Sequence, residues 1–297
     1  MNIWQYADLL EKKLLANNLF FGHGVDNAFD EAVWLIMSGA NIKEEALNQK
    51  LNLSEKQMLA IDVLANKRIK TRRPLSYLLN KAWFAGHEFY IDERAIIPRS
   101  YIGEWIPERF KPWLVNEKVD MILDLCTGSG CIGVALAMAF PESKVDATDI
   151  SSDALDVAKI NAKKFLMSHK MRFFQGDLFN ALPTVIAYDL IVCNPPYVND
   201  VIMNSLPTEY EFEPQLALAG GKDGLFFIRK ILRKARHYLN SKGVIFIEVG
   251  SAAESVEQAW PTVPFTWLTS FSGDSPILLI TAEQLDTYKK HFDYLEA

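Results

Sequence analysis

Cysteine and histidine are scarce in this sequence, which has three cysteines and five histidines among 297 residues. Each cysteine (Cys126, Cys131, Cys193) adjoins an apolar, strand-like run, which predicts buried reduced thiols rather than a disulfide framework. No histidine stands at metal-ligand spacing from another histidine or from a cysteine. We therefore expect neither disulfides nor a bound metal.

Long apolar runs are also missing. No segment approaches the roughly 18 consecutive apolar residues that a membrane helix needs. The start of the chain, Met1 to Gln5, lacks the basic residues and the apolar block of a signal peptide. Hydrophobic residues make up 49% of the chain and charged residues 23%, which is typical of a globular protein with an ample core. The sequence predicts a cytoplasmic protein with no membrane partner.

The chain has no excess of basic residues. Its net charge is −6, whereas proteins that bind nucleic acid through the phosphates usually present a basic surface. This balance counts against nucleic acid as a substrate and permits a basic protein as partner. One local exception is the basic stretch at residues 67–73. We interpret it as a solvated linker, with contact to ribosomal RNA or to an acidic patch as the alternative.

Residues 1–75 have the pattern of a small helical domain. Apolar residues recur at helical spacing, and Gly39 is placed as the C-cap of one helix. Ser54 to Gln57 has the form of a capping box, which predicts that another helix follows at residues 58–65.

Residues 76–110 predict a β-hairpin and a linker. Aromatic and β-branched residues at 83–91 and 94–97 flank Asp92-Glu93, which we place in the hairpin turn. A short amphipathic helix is expected at residues 102–110.

From residue 111 to residue 297, strand-like and helix-like segments alternate, which is the pattern of a parallel sheet covered on both faces. The strands are predicted at 121–125, 144–149, 171–175, 188–193, 244–249, 265–271 and 276–281. The helices are predicted at 131–140, 151–165, 225–239 and 251–260. Ser272 to Ser275 predicts a hairpin turn between the last two strands, so one strand at the edge of the sheet should run antiparallel.

The fourth strand ends on Asn194-Pro195-Pro196-Tyr197. Proline donates no backbone hydrogen bond and restricts the residue before it, so the chain must leave the sheet in a stiff loop. The loop holds the Asn194 side chain and the carbonyls of Asn194 and Pro195 at the carboxyl edge, where open α/β sheets bind ligands. These oxygen atoms can accept hydrogen bonds from the two N–H groups of a planar NH2 group. The Tyr197 ring would form a flat wall beside that group. The alternative is a strand followed by a proline-rich turn that has no binding or catalytic role.

A glycine turn and three acids follow the first three strands. Gly128 to Gly133 fits the pattern G-x-G-x-x-G, and Asp149 lies about 20 residues further on, as in dinucleotide-binding proteins. A carboxylate at the end of the second strand accepts hydrogen bonds from ribose hydroxyls. Asp124, at the end of the first strand, would repel a pyrophosphate and favour a sulfonium or an ammonium. Asp177, after the third strand, suits an adenine amino group, although a turn-forming role explains it equally well. The ordered set indicates an S-adenosylmethionine pocket.

With Asn194 to Tyr197 added, the C-terminal part resembles the Rossmann-like class I methyltransferases, which methylate a planar nitrogen with an Asn/Asp-Pro-Pro-Tyr/Phe motif. Nearly the whole chain is similar to the protein glutamine N5-methyltransferases of the HemK type. This resemblance implies S-adenosyl-L-methionine as methyl donor and S-adenosyl-L-homocysteine as product. It implies that residues 1–75 recognise the substrate, residues 76–110 link the domains and residues 111–297 transfer the methyl group.

The resemblance also assigns site residues. It implies catalytic roles for Asn194, Pro195, Pro196 and Tyr197. It implies cofactor contacts from Asp124, Cys126, Thr127, Gly128, Ser129, Gly130, Asp149, Asp177, Leu178 and Asn194.

Two segments distinguish the branches of this family. The branch that modifies peptide release factors typically has Ile-Pro-Arg-Pro-Asp-Thr-Glu after the hairpin, whereas this chain has Ile97-Pro98-Arg99-Ser100-Tyr101-Ile102-Gly103-Glu104. That segment, together with residues 80–90 and 206–218, resembles the branch that methylates a glutamine of large-subunit ribosomal protein L-three. Tyr101 stands where that branch is expected to have proline, a departure that leaves the assignment intact.

Four alternatives stay open at this point. The release-factor branch is one, and an adenine-N6 methyltransferase that flips its base into the same pocket is another. An NAD-dependent oxidoreductase would explain the glycine turn but would leave Asn194 to Tyr197 without a role. A purely structural ribosome-assembly factor would require an empty pocket.

Overall fold

The computed structural model describes residues 1–47, 51–114, 118–183, 186–271, 273 and 276–293. In the described ranges, four α-helices form the N-terminal part: α1 (Ile3–Ala16), α2 (Ala28–Ala40), α3 (Glu55–Thr71) and α4 (Leu75–Leu79). Their buried faces meet in one apolar core. The predicted capping box is confirmed, because Ser54 and Gln57 bond each other's backbone amides through their side chains.

The prediction of Gly39 as a C-cap is wrong. Gly39 lies inside α2, where a Cβ atom would come within 2.8 Å of the Cα of Ile61 in α3. The helix is capped instead by Asn41, whose φ of 53° is the left-handed conformation that asparagine tolerates. Glycine is needed at position 39 for the close approach of two helices.

The basic stretch is not the predicted solvated linker. Helix α3 includes residues 67–71, and Arg68 is only 1% exposed. The Arg68 guanidinium pairs with Glu31 at 2.8 Å and with Glu209 at 3.4 Å, while Arg72 pairs with Glu209 at 2.7 Å. These arginines therefore bind acidic side chains of the chain itself. Contact of this stretch with ribosomal RNA stays a prediction.

The hairpin forms, but its turn lies elsewhere than predicted. Strands β1 (Ala82–Phe84) and β2 (His87–Phe89) pair antiparallel around Ala85 and Gly86. Both turn residues have positive φ, 47° and 78°, as in the two-residue turns that match the twist of the strands. Asp92, which the sequence placed in the turn, instead accepts three hydrogen bonds from Arg94, one from its amide and two from its guanidinium.

The predicted helix at residues 102–110 does not form. A single 3-10 turn covers Tyr101–Glu104, and irregular turns follow it. Pro107 supplies the physical reason: it has no N–H to donate to the carbonyl of Gly103, and its ring would clash with that carbonyl in an α-helix. The domain limits at residues 75 and 110 stay predictions.

In the part of the chain that the structure describes, the main sheet has seven strands: β3 (Met121–Leu125), β4 (Lys144–Asp149), β5 (Met171–Gln175), β6 (Tyr188–Cys193), β9 (Leu239–Glu248), β10 (Thr266–Leu268) and β11 (Ile277–Thr281). The short strands β7 (Val198–Asn199) and β8 (Ala219–Gly221) pair with each other. In the main sheet the order is β10-β11-β9-β6-β3-β4-β5. The bounds of β3 to β6 are those predicted.

One strand of the main sheet runs antiparallel, as predicted, but it is not the edge strand. It is β11, which pairs antiparallel with β9 and with β10 and therefore lies one position in from the edge. The hairpin turn predicted between β10 and β11 involves residues 272, 274 and 275, which lie outside the described residues.

Among the residues that the structure describes, seven helices accompany the sheet: α5 (Cys131–Ala139), α6 (Ser152–Lys164), α7 (Asp200–Met203), α8 (Phe226–Ala235), α9 (Ala253–Ala259), α10 (Ala282–Thr287) and α11 (Lys289–Asp293). Along β6, Leu190 and Val192 enter the core on one face, and Ile191 and Cys193 enter the core on the other. A continuous apolar run is what a strand buried on both faces requires. In the described ranges, no helix has both the length and the apolar character that a membrane crossing requires.

The order of the strands reverses beside β3. The chain moves from β3 to β4 and β5 on one side, and then returns as β6 on the other side of β3. The segments that follow β3 and β6 therefore diverge at the carboxyl edge, and ligands of open α/β sheets bind at such a switch point. Cys126 and Asn194 are the first residues after these two strands.

Candidate active site

A cavity of about 410 Å³ opens at the carboxyl ends of β3, β4 and β6. The glycine turn, the loop after β6 and residues 96–100 of the linker all line it. The predicted site residues found in the cavity wall are Cys126, Thr127, Gly128, Ser129, Asp149, Asp177, Leu178, Asn194, Pro195, Pro196 and Tyr197. Asp124 and Gly130 are buried and are not part of the wall.

Asp149 fixes the glycine turn from the neighbouring strand. Its Oδ2 accepts a hydrogen bond from the Gly128 amide at 2.8 Å, and its Oδ1 accepts one from the Ser151 amide at 2.9 Å. Burial raises the pKa of this carboxyl, although the backbone N–H donors oppose the rise. Because each carboxylate oxygen has two lone pairs, both oxygens can accept a further hydrogen bond.

Helix α6 supports the turn from behind. A Cβ atom on Gly130, which has a φ of 77°, would come within 2.8 Å of the Cβ of Ala158. The Asn161 side chain donates a hydrogen bond to the Ser129 carbonyl at 2.8 Å. Gly130 is therefore required for the close contact between turn and helix, and its predicted contact with the cofactor stays a prediction.

Asp124 lies beneath the turn rather than in the cavity wall. It is fully buried, and its Oδ2 accepts hydrogen bonds from the Thr127 hydroxyl and, at 2.8 Å, from the Gly133 amide. Its Oδ1 has no hydrogen-bond partner among the described residues. Burial raises the pKa of Asp124 to about 7, against the effect of these two donors. A cation in the cavity would be attracted electrostatically by the Asp124 carboxylate through the glycine turn, without direct contact.

Replacing Asp124 by asparagine should flatten the pH dependence of the stability of the ligand-free protein. The pKa of Asp124 rises on folding from 3.8 to about 7, so its stabilising contribution is present below pH 3.8 and is lost as the pH rises towards 7. The slope can reach ~1.4 kcal/mol per pH unit. Thermal unfolding across this window should show a smaller decline for the variant than for the wild type. Parallel declines would contradict the assignment.

Asn194 presents an uncommitted amide to the cavity. Its side chain is half-buried in the wall, and no group within the described part of the chain forms a hydrogen bond with it. Pro195 and Pro196 after it are buried. The asparagine is therefore held by a stiff backbone, and its side chain stays available to a ligand.

Tyr197 is locked in place at the end of this loop. Its hydroxyl donates a hydrogen bond to the Glu248 Oε1 at 3.1 Å. A Cβ atom on Gly250 would come within 2.5 Å of the Tyr197 ring, and one on Gly220 would come within 2.7 Å of its Cα. Burial, assisted by the Glu248 carboxylate, raises the pKa of the phenol well above its usual value. Tyr197 therefore serves as a rigid, uncharged wall.

Comparison with known proteins identifies the family. The family model of the methyltransferase small domain matches residues 111–207 of the sequence. The ribosomal protein uL3 glutamine methyltransferase of Bordetella pertussis is 43% identical over 279 residues, 93% of each chain. The protein of the same name from Francisella tularensis is 42% identical over 94% of this chain and 91% of its own length. This chain belongs to the uL3 glutamine methyltransferase family.

A solved structure supports the fold of this methyltransferase. The catalytic domain of hMettl16 in complex with MAT2A 3′UTR hairpin 6 superposes with a TM-score of 0.51. The match covers 75% of this chain and 81% of that structure at 15% identity. At this identity the likeness concerns the fold alone, and it confirms the predicted Rossmann-like sheet.

The sequence-based prediction missed one acid of the methyltransferase site. Glu248, at the end of β9, is buried, and its Oε2 accepts hydrogen bonds from the Ser100 hydroxyl at 2.6 Å and the Tyr101 amide at 3.0 Å. Burial raises the pKa of this carboxyl. Because Glu248 also holds the Tyr197 hydroxyl, it joins the linker to the loop after β6. An acid that closes an apolar strand is the signal that marked β3 and β4, so the sequence did contain it.

A second missed feature is the ion pair between Arg99 and Glu213. The two guanidinium nitrogens of Arg99 bind the two carboxylate oxygens at 2.7 and 2.5 Å, and the Ile97 amide donates to Glu213 at 3.0 Å. Burial alone would raise the pKa of Glu213, but Arg99 and His23 lower it to about 2. The partners are 114 positions apart, so no local pattern predicts their contact.

Asp177 occupies the predicted place in the wall, but it has a partner. Its Oδ2 accepts a hydrogen bond from the Lys230 ammonium at 3.0 Å, and both side chains are about one-third exposed. The buried Leu178 lines the cavity beside it. A role for Asp177 in holding an adenine amino group stays a prediction.

Proposed function

We propose that this methyltransferase transfers a methyl group from S-adenosylmethionine to the side-chain amide nitrogen (N5) of a glutamine in ribosomal protein uL3. The observation that carries the proposal is the uncommitted amide of Asn194, held by two prolines in the wall of the cavity that Asp149 and the glycine turn also line. The names of relatives that match more than nine-tenths of the chain support the choice of substrate.

The residues of the cavity fit the cofactor. Asp149 can accept hydrogen bonds from ribose hydroxyls, and Gly128 lets the backbone approach a ligand closely. Ile150 and Leu178 line the same cavity and offer apolar surface to a base. The carboxyl of Asp124 beneath the turn favours positively charged groups above it. When bound, the cofactor supplies a methyl group already activated by a positively charged sulfur.

Two acceptors hold the glutamine amide. The Asn194 side-chain oxygen and the Pro195 carbonyl oxygen accept hydrogen bonds from the two N–H groups of the glutamine amide. Tyr197 forms the wall beside this amide. An amide nitrogen is a poor nucleophile because its lone pair is delocalised into the carbonyl, so the acceptors must aim it and polarise it. Positioning of this kind can supply effective molarities of roughly 10⁵–10⁸ M. As the new C–N bond forms, the nitrogen becomes acidic and releases a proton to solvent.

A methyl-transfer assay with labelled cofactor tests this function. Purified uL3, a peptide release factor, DNA and RNA are each incubated with the enzyme, and the label retained by each polymer is counted. We expect label on uL3 alone. Label on the release factor or on nucleic acid, with none on uL3, would contradict the proposal and favour the corresponding alternative.

Replacing Asp149 by alanine should weaken cofactor binding by about 10- to 100-fold, because the loss of hydrogen bonds to a charged acceptor costs ~1.5–3 kcal/mol. Isothermal titration calorimetry measures the affinity for S-adenosylmethionine. Asp153→Ala is the matched control, because this exposed acid of α6 lies outside the cavity. Unchanged affinity in Asp149→Ala would contradict the ribose assignment.

A further inference from the structure

The loop at residues 206–218, here called the substrate loop, forms the side of the cavity that lies beyond the two prolines. Leu206 and Tyr210 of this loop line the cavity. The loop has little regular structure of its own, only short 3-10 turns at Thr208–Phe212 and Gln215–Ala217. Contacts with the rest of the protein must therefore set its conformation.

The first of these contacts is a buried carboxylate. Glu209 has no exposed surface, and its Oε1 accepts hydrogen bonds from the Phe20 amide at 3.0 Å, from Arg72 at 2.7 Å and from Arg68 at 3.4 Å. All three donors belong to the N-terminal helical part. Arg68 also pairs with Glu31 at 2.8 Å, so two arginines and two glutamates form a network with balanced charge.

The second contact lies four residues further along the loop. Glu213, which Arg99 of the linker holds, lies 3.6 Å from the Nε2 of His23. Between the two glutamates, the Tyr210 ring packs 4.5 Å from the His23 ring and 5.5 Å from the Phe20 ring, measured between centroids. The loop is thus held by charge and by aromatic packing to residues 20–23, far from it in sequence.

These contacts make the loop depend on its partners. Leaving one member of a buried ion pair without its partner is strongly destabilising, because an uncompensated charge then stays buried. Glu209 can therefore stay buried only while the N-terminal helical part supplies its donors. An apolar residue at this position could pack without such dependence, so the carboxylate ties the conformation of the loop to that part of the protein.

We infer that the N-terminal helical part positions the substrate loop for glutamine binding, through the contacts of Arg68, Arg72 and the Phe20 amide with Glu209. These are positioning residues, because they lie outside the cavity wall and act through Leu206 and Tyr210. The inference rests on the proposed function, since it takes the loop to be the surface that receives the glutamine side chain. It gives the N-terminal part a role beyond contact with the substrate.

Glu209→Gln tests the inference, and Glu31→Gln is its matched control. Both variants remove one negative charge from the same buried network, but only Glu209 belongs to the substrate loop. We expect similar losses of thermal stability in the two variants. Glu209→Gln should raise the KM for uL3 about tenfold and leave kcat and the cofactor affinity unchanged, while Glu31→Gln should leave all three unchanged. Equal KM values in the two variants would overturn the inference.

Variants of Arg72 provide a second test of the inference if Glu209→Gln does not fold. The Arg72 side chain is 31% exposed, so its replacement is better tolerated. Arg72→Gln should raise the KM for uL3, and Arg72→Lys should restore it, because lysine can still donate a charged hydrogen bond to Glu209. Identical KM values for the glutamine and lysine variants would show that the charged contact does not position the loop.

Hydrogen exchange separates this inference from the proposed substrate. In the wild type the amides of residues 206–218 should be protected. The protection should fall in Glu209→Gln and persist in Glu31→Gln, whether or not uL3 accepts a methyl group. Unchanged protection in Glu209→Gln would overturn the positioning role. A wild-type enzyme that leaves uL3 unmethylated would overturn the proposed function alone.

Discussion

Asn194→Ala should lower kcat for methyl transfer by roughly 10³-fold or more, while the affinity for S-adenosylmethionine stays close to that of the wild type. The variant loses the acceptor that aims the amide nitrogen, and no other side chain in the motif can replace it. The groups proposed to bind the cofactor lie mostly on the glycine turn and on Asp149, which the substitution does not touch. Single-turnover methylation and calorimetry on the same preparation measure the two quantities.

Asn199→Ala is the matched control for this prediction. The Asn199 side chain caps α7 by accepting a hydrogen bond from the Ile202 amide at 2.9 Å, and it does not line the cavity. Its loss should cost ~1 kcal/mol of stability and leave transfer intact. Equal losses of transfer and cofactor affinity in Asn194→Ala would contradict the role assigned to Asn194.

A uL3 substrate with glutamate in place of the target glutamine should react about 10⁴-fold more slowly. A carboxylate has no N–H to donate, so it would set its oxygens against the acceptors at the site. Asn194 could turn its NH2 group towards the glutamate, but the Pro195 carbonyl can only accept. Each buried acceptor left unpaired costs ~1–3 kcal/mol, and the prolines prevent the backbone from moving away. Mass spectrometry of the two substrates under identical conditions measures the difference.

A second substrate variant controls for the added charge. Glutamate is placed at a residue beside the target glutamine, which itself stays unchanged. This substrate should be methylated at nearly the normal rate, because the carboxylate does not enter the pocket. Comparable methylation of the glutamate placed at the target position would show that the two acceptors do not select the amide.

The parallel sheet and most of the site could be predicted because their signals are local. Strands β3 and β6 are largely apolar runs. Each strand from β3 to β6 is closed by an acid, a glycine turn or two prolines, and its bounds are those predicted. The same local rule places Asp149 and Asn194 at one edge of the sheet. It also applies to Glu248, which closes β9 in the same way and was overlooked.

The errors of prediction arise where distant residues decide the structure. Residues 67–73 have the composition of a solvated linker, and the two acidic partners of the buried Arg68 lie 37 and 141 positions away. The Ala85-Gly86 turn was overlooked because Asp92-Glu93 nearby also suits a turn. Gly39 resembles a C-cap in sequence, and only the approach of Ile61 shows why glycine is needed. Contacts of this kind cannot be inferred from spacing along the chain.

The most direct test of the central claim is mass spectrometry of uL3 before and after incubation with the enzyme and S-adenosylmethionine. We expect a gain of one methyl group, which fragmentation places on the side-chain nitrogen of a single glutamine, and no gain with Asn194→Ala. Methylation of another residue type, or undiminished methylation by Asn194→Ala, would contradict this claim.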